Sequence, residues 1–223
     1  MQSINPATGE VIATYEEDSE ATLESKISRA SSAYSIWRKT TLVERCELLR
    51  AMGGYLRAHV EELGKLSTHE MGKLQEAAKS EIEKCAWVCE YYAEAAHTFL
   101  ASRVVATDSR KSIVRFDPLG PILAVMPWNF PYWQVFRFAA PALAAGNVAL
   151  LKHAANVCGV ALAIEDAFRV VGFPEGVFQT LLIKSSRVEG VIADPRVVAV
   201  TLTGSEGAGS AVAAIAGREL KKT

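Results

Sequence analysis

The chain carries, from Pro121 to Trp133, the sequence P-I-L-A-V-M-P-W-N-F-P-Y-W. Its residues 122–126 form a continuous apolar run, which is typical of a strand buried on both faces of a parallel sheet. Pro127 lacks a backbone donor and favours extended geometry in the residue before it, so the strand is predicted to end there. Open α/β sheets bind ligands beyond the carboxyl ends of their strands. The turn after Met126 is therefore expected at a ligand-binding edge.

One polar side chain, Asn129, lies in this turn between Pro127 and Pro131. Its amide stays neutral at every working pH and can donate a hydrogen bond to a developing oxyanion. An asparagine in this position can equally cap the helix that follows. The pattern by itself leaves both roles open.

From Pro118 onward, apolar strand-like runs alternate with helix-like segments. Repeated β-α-β units predict an α/β fold with a parallel, right-handed, doubly wound sheet of the Rossmann-like type. The predicted strands are 122–126, 148–151, 177–183 and 197–202. The predicted helices are 134–145, 157–171, 186–193 and 205–222.

The first hundred residues have a different pattern. Helical spacing of apolar residues predicts helices at 20–37, 41–56, 60–69 and 75–100. Two β-rich runs, 104–107 and 112–116, flank Asp108-Ser109-Arg110 and predict a hairpin. We therefore expect three parts: a helical amino-terminal region at 1–102, a β-hairpin at 103–117, and a Rossmann-like part at 118–223.

A candidate phosphate site lies near the end of the chain. No G-x-G-x-x-G follows the first strand of the predicted sheet, so the usual dinucleotide fingerprint is absent. The sequence T-G-S-E-G-A-G, from Thr203 to Gly209, follows a strand and opens a helix, where N–H groups and the helix dipole favour an anion. Gly204 permits close approach of a pyrophosphate, and the Ser205 hydroxyl can donate to it. The alternative is an ordinary helix start, with Thr203-x-x-Glu206 as a capping box.

Two cationic side chains are further candidates. Lys152 ends the strand at 148–151 and can bind ribose hydroxyls or a phosphate, although a surface lysine lying along apolar residues is the alternative. His153, beside it, is only partly charged at neutral pH. Arg137 is the only charge between Val125 and Leu151. Its fork of donors suits a carboxylate, and the alternative is a buried structural ion pair.

The composition argues against several classes of function. A formal net charge of −1 gives no electrostatic reason to expect nucleic acid or a membrane as a partner. No apolar run approaches the roughly 18 residues of a transmembrane helix, and the start lacks the segments of a secretory signal. We expect no metal site, and reduced core thiols in a cytoplasmic protein, because the cysteines form no ligand or disulfide framework. They are Cys46, Cys85, Cys89 and Cys158.

Three motifs resemble, in the same order, those of the NAD(P)-dependent aldehyde dehydrogenases. They are I-N-P-A-T-G-E at 4–10, P-W-N-F-P at 127–131 and T-G-S at 203–205. The stretch L-K-H-A-x-N at 151–156 is similar to the bacterial succinate-semialdehyde dehydrogenases. The resemblance implies oxidation of a small-molecule aldehyde, with succinate semialdehyde as the expected substrate and NADP or NAD as the cofactor.

The resemblance also implies roles for individual residues. Asn129 helps to hold the oxyanion, and Arg137 binds the substrate's distal carboxylate. Ala155 stands where NAD-preferring relatives often carry a glutamate that would repel the 2′-phosphate of NADP. We therefore expect NADP to be accepted at least as well as NAD. The expected cofactor-binding residues are Trp128, Lys152, Ala155, Gly204 and Ser205.

The family's catalytic cysteine and glutamate lie in sequence that has no match within these 223 residues. The chain thus resembles the amino-terminal, cofactor-binding part without the catalytic domain, and we expect it to be inactive alone. A hairpin like that at 103–117 protrudes from the subunit and serves oligomerisation in the family, so the resemblance implies a protruding β-hairpin and a homo-oligomer. The alternative from another class is a non-catalytic nucleotide-binding or scaffolding protein made by a truncated gene.

Overall fold

The amino-terminal strands pair with each other in the computed structural model, which describes all residues 1–223. β1 (Gln2–Ile4) and β2 (Val11–Thr14) form an antiparallel ladder. The turn between them contains Gly9, whose φ of +76° lies in the left-handed region that glycine adopts without strain.

Four helices follow, as the apolar spacing predicts. They are α1 (Glu20–Trp37), α2 (Leu42–Ala58), α3 (Val60–Met71) and α4 (Gln75–Phe99). α2 begins at a complete capping box, in which the Thr41 hydroxyl accepts from the Glu44 N–H and the Glu44 carboxylate accepts from the Thr41 N–H. Local signals therefore set this boundary.

A hairpin separates the helices from the sheet. β3 (Arg103–Val105) pairs antiparallel with β4 (Ser112–Val114), so the predicted hairpin is confirmed with shorter strands than expected. Its large apolar side chains are exposed: Val104, Val105, Ile113 and Val114.

Four parallel strands form the main sheet in the order β7-β6-β5-β8. They are β5 (Pro121–Met126), β6 (Val148–His153), β7 (Phe178–Thr180) and β8 (Ala199–Leu202). The intervening helices are α5 (Trp133–Ala144), α6 (Cys158–Val171) and α7 (Val188–Ala193), and α8 (Glu206–Arg218) follows the last strand. The predicted doubly wound α/β architecture is confirmed.

The helical region and the sheet share one apolar core. A single cluster of 47 buried residues runs from α1 to α8. α1 packs on β5, β6 and β7, while α5 and α6 pack on the sheet and are backed by α2, α3 and α4. None of the eight helices has the length and apolar character needed to cross a membrane.

Several predicted boundaries in the second half of the chain are wrong. The strand predicted at 177–183 is shortened to β7, with one further backbone hydrogen bond to β6 at each end, through the Val177 carbonyl and the Leu181 N–H. The strand predicted at 197–202 begins two residues later, at Ala199. The last helix ends at Arg218 instead of continuing to 222, because Leu220 adopts a left-handed φ of 54°. Lys222 instead lies alongside β8, where its carbonyl accepts from the Val200 N–H at 2.9 Å.

Candidate cofactor and substrate site

The carboxyl ends of three strands meet at one edge of the sheet. β5 and β6 end in register, with Met126 beside His153, and Val125 lies beside Leu202 of β8. The Thr203 N–H continues this pairing by donating to the Val125 carbonyl at 3.1 Å. The segments that carry the predicted site residues therefore leave the sheet side by side.

Two helices at this edge receive their N-terminal caps from distant glutamates. α5 and α6 have no side-chain cap of their own. Glu81 of α4 accepts from the N–H groups of Tyr132, the N-cap residue of α5, and Trp133 at 2.9 and 2.8 Å. Glu70 of α3 does the same for the first turn of α6. Both carboxylates are at least 96% buried, so neither helix start is open to an anionic ligand.

The start of α8 differs from those of α5 and α6. Its cap is its own residue Ser205, whose hydroxyl accepts from the Ala208 N–H at 3.3 Å, and both Gly204 and Ser205 are exposed. Thr203 is not the cap, so the predicted capping box from Thr203 to Glu206 is wrong. The N-terminus of α8 is thus the helix start at this edge that carries no buried carboxylate and faces solvent.

Lys152 is a buried cation without an acidic partner. Lys152 is only 7% exposed, which contradicts the alternative of a surface lysine. It does not end the strand as predicted, because β6 continues one residue further, to His153. Its Nζ lies 3.4 Å from the Ser185 hydroxyl, and no carboxylate is within salt-bridge distance. Burial lowers the pKa of this ammonium. An anion arriving at Lys152 would therefore meet an unpaired positive group.

His153 cannot assist Lys152 as a second cation. Its Nε2 contacts the Pro131 carbonyl at 2.9 Å, and its Nδ1 accepts from the Ala154 N–H at 2.9 Å. With Nδ1 an acceptor, Nε2 is the donor, so the hydrogen bonds fit the neutral ring. Burial lowers the pKa of His153 from 6.5 to about 4. His153 holds the turn before α5 and is unsuited to bind a phosphate.

Trp128 and Ala155 are accessible. Trp128 is 50% exposed and lines a cavity of about 310 Å³ together with Met71 and Asn156. Ala155 is exposed at the end of the segment that follows β6. An alanine here contributes no charge to that surface.

Asn129 is exposed, with its side-chain NH₂ group free. Its Oδ1 accepts from the adjacent Phe130 N–H at 3.1 Å. The first N–H groups of α5 bind Glu81 instead, so the alternative that Asn129 caps this helix is wrong. The amide is therefore available as a donor at the ligand edge.

Arg137 is exposed and makes no ion pair, which contradicts the alternative of a buried one. Its Nη2 donates to the Thr203 hydroxyl at 3.0 Å. It lines a groove of about 460 Å³ with Met126, Gln134 and Phe138. Lys152, Gly204 and Ser205 do not line this groove, but the bond to Thr203 places Arg137 next to the residue that precedes Gly204.

The thiols of the chain are unsuited to nucleophilic attack. All four cysteines are buried and free, and burial raises the pKa of each, that of Cys158 to about 11. No cluster of His, Cys, Asp or Glu could hold a metal ion. A cavity of about 470 Å³ between α1, α6 and β7 contains none of the predicted site residues, and its Lys26 is paired with Asp18.

A model of the aldehyde dehydrogenase family matches residues 1–223. The chain belongs to this family. Among its relatives, a probable NADP(+) succinate-semialdehyde dehydrogenase of Synechocystis sp. is 48% identical over 223 residues, and an enzyme of that name from Mycobacterium leprae is 50% identical over 226. Both alignments cover 100% of this chain, and they cover 49% and 50% of the length of the two relatives. The chain spans about half the length of these aldehyde dehydrogenases.

A solved aldehyde dehydrogenase has the same fold. The succinic semialdehyde dehydrogenase of Streptococcus pyogenes, crystallised in complex with NADP+, superposes with a TM-score of 0.97 at 39% identity. The match covers 100% of this chain and 49% of that one. The Rossmann-like identification of the sheet rests on this agreement.

Proposed function

We propose that this chain forms the cofactor-binding part of an NADP-accepting succinate-semialdehyde dehydrogenase. The observation that carries the proposal is the solvent-facing start of α8, next to two helix starts that are filled by Glu70 and Glu81. The N–H groups and positive dipole end of α8 suit a pyrophosphate. Gly204 and Ser205 are the residues that would contact it.

The cofactor preference is argued from Lys152 and Ala155. A buried ammonium without a partner gains most from a dianionic group, and the 2′-phosphate of NADP is one. Ala155 puts no negative charge beside it. The relatives from Synechocystis and M. leprae are named as NADP(+) enzymes, and the S. pyogenes enzyme binds NADP+. We infer that NADP is favoured over NAD.

The substrate side is argued from Asn129 and Arg137. The bound cofactor would supply the hydride acceptor, beside Trp128. Asn129 has a free amide donor that can stabilise negative charge developing on an aldehyde oxygen. Arg137 has an exposed guanidinium with only a hydroxyl as partner, and it can bind the distal carboxylate of succinate semialdehyde. Residues 1–223 hold no exposed thiol for covalent attack, so we propose that this polypeptide alone binds cofactor without oxidising the aldehyde.

The exposed hairpin supports a homo-oligomer. β3 and β4 form a two-stranded ladder with free edges, and Val104 is 79% exposed. Free strand edges and apolar side chains favour pairing with another chain. We propose that a second copy covers this hairpin.

The test of cofactor binding uses Ser205→Asp. Aspartate caps a helix at least as well as serine, so the free energy of unfolding should not fall. Its carboxylate would, however, repel a pyrophosphate at the same place. By calorimetric titration we expect NADP affinity to fall at least tenfold, about 1.4 kcal/mol.

A matched control is Ser19→Asp, the same exchange at the N-cap of α1, where the serine hydroxyl accepts from the Thr22 N–H at 3.1 Å. This variant should keep wild-type affinity for NADP. Equal NADP affinity of Ser205→Asp and the wild type would contradict a pyrophosphate site at α8. Absence of NADP binding by the wild type would refute the proposed function.

A further inference from the structure

An ion pair from the helical region braces the turn that carries Asn129. Lys73, in the loop between α3 and α4, forms a salt bridge with Glu81 of α4. The side chains are only 10% and 2% exposed. Desolvating both charges is costly unless further hydrogen bonds stabilise them, so the contacts around the pair indicate what it does.

The contacts of the pair converge on both sides of Pro131. Lys73 Nζ donates to the Asn129 carbonyl at 3.1 Å and lies 3.8 Å from the centre of the Phe130 ring. Glu81 accepts from the N–H groups of Tyr132, the N-cap residue of α5, and Trp133, its first residue, immediately after the proline. One ion pair therefore fixes the exposed turn and the helix that follows it.

The other contact from a distant element at this turn is that of His153 Nε2 with the Pro131 carbonyl at 2.9 Å, which lies after Trp128 and Asn129. Residues 128–130 are exposed and belong to no strand or helix. The Asn129 side chain binds only its neighbour's N–H, which sets its rotamer but does not anchor the turn to the rest of the chain. The Lys73 contact is the hydrogen bond that ties the Asn129 backbone to a distant element. Without it, the direction of the Trp128 and Asn129 side chains would be less defined.

We propose that Lys73 and Glu81 are positioning residues that hold Trp128 and Asn129 in place for the nicotinamide end of the cofactor. The inference rests on the proposed function, since it assumes that NADP binds at this edge. It predicts that loss of the pair weakens contacts at the nicotinamide end and spares those of the adenosine end, which involve Lys152 and the start of α8.

The test compares two ligands on one variant. Lys73→Met combined with Glu81→Gln removes both charges together, because Lys73→Met alone would leave a buried unpaired carboxylate and endanger folding. The glutamine oxygen can still accept from the N–H groups of α5. The ligands are NADP and adenosine 2′,5′-bisphosphate, which lacks the nicotinamide half. Urea unfolding confirms that the variant is folded.

We expect the affinity of the double variant for NADP to fall about tenfold, while its affinity for adenosine 2′,5′-bisphosphate changes less than about twofold. The quenching of Trp128 fluorescence by NADP should also decrease. Lys84→Met is the matched control, since Lys84 is an exposed lysine of α4 that lies 4.0 Å from the Trp133 ring centre without an ion pair. It should leave both affinities unchanged.

Two results would overturn the inference while leaving the proposed function intact. One is wild-type NADP affinity in the double variant. The other is an equal loss for both ligands, which would mark the pair as part of the general framework. If the wild-type chain binds neither ligand, the proposed function is wrong and this inference fails with it.

Discussion

The state of His153 makes a quantitative prediction about acid stability. Its ring is buried and neutral in the fold, with both nitrogens hydrogen-bonded, and its pKa is lowered to about 4 from 6.5. The unfolded chain therefore binds a proton at this residue at higher pH than the folded chain does. Stability from His153 is fully present above about pH 6.5 and is lost as the pH falls toward 4.

The magnitude follows from proton linkage. One pKa unit corresponds to about 1.4 kcal/mol, and the unfolded state is almost fully protonated at His153 by pH 5 while the folded state is not. Lowering the pH from 7 to 5 should therefore cost about 2 kcal/mol of unfolding free energy through this residue alone.

Urea unfolding of the wild type and of His153→Gln, each at pH 7 and pH 5, measures the contribution of His153 to the pH dependence of the unfolding free energy. Glutamine can still donate to the Pro131 carbonyl but does not titrate. Every other ionisable group is common to the two proteins, so its contribution cancels in the difference. We expect the variant to lose about 2 kcal/mol less than the wild type between the two pH values. Equal losses in both proteins would refute the neutral, buried state of His153.

Three further predictions concern the site and the thiols. In an active enzyme that carries this chain, Arg137→Ala should lower kcat/KM for succinate semialdehyde roughly 10- to 150-fold, because a charged hydrogen bond is lost. The kcat/KM for an uncharged aldehyde of similar length should fall far less, and equal losses for both substrates would mark Arg137 as structural. Ala155→Glu should shift cofactor preference toward NAD in a titration with both cofactors, and an unchanged ratio would argue against the carboxylate's part in discrimination. A thiol reagent at neutral pH should modify the cysteines slowly in the folded chain and rapidly in urea, because burial raises their pKa values; fast modification of any folded thiol would contradict this.

Local patterns were sufficient for much of the fold. The apolar run of β5, the proline after Met126 and the capping box at Thr41 are signals that operate within a few residues, and each element lies where they predict it. β7 shows the limit of such signals. Ile183 is buried but lies beyond the last hydrogen bond to β6, which the Leu181 N–H donates to the Leu151 carbonyl, because an apolar pattern reports burial and not strand pairing.

The distant glutamates that cap α5 and α6 could not be located from the sequence. Glu70 and Glu81 lie far along the chain from the helices they cap, and as helical glutamates they resemble solvated charges. The sequence contains only an indirect sign of these caps. The N-cap residues of α5 and α6 are Tyr132 and Val157, and neither side chain caps its helix. An apolar residue at a helix start at a ligand edge indicates that another element supplies the cap. The state of His153 likewise depends on a carbonyl 22 residues away.

A crystal structure of the chain with NADP would test the central claim most directly. We expect the pyrophosphate against the N–H groups at the start of α8, within reach of the Ser205 hydroxyl. The 2′-phosphate should lie beside Lys152, and the nicotinamide should face Trp128 and Asn129. A cofactor bound away from α8, or a 2′-phosphate turned from Lys152 toward solvent, would contradict the account.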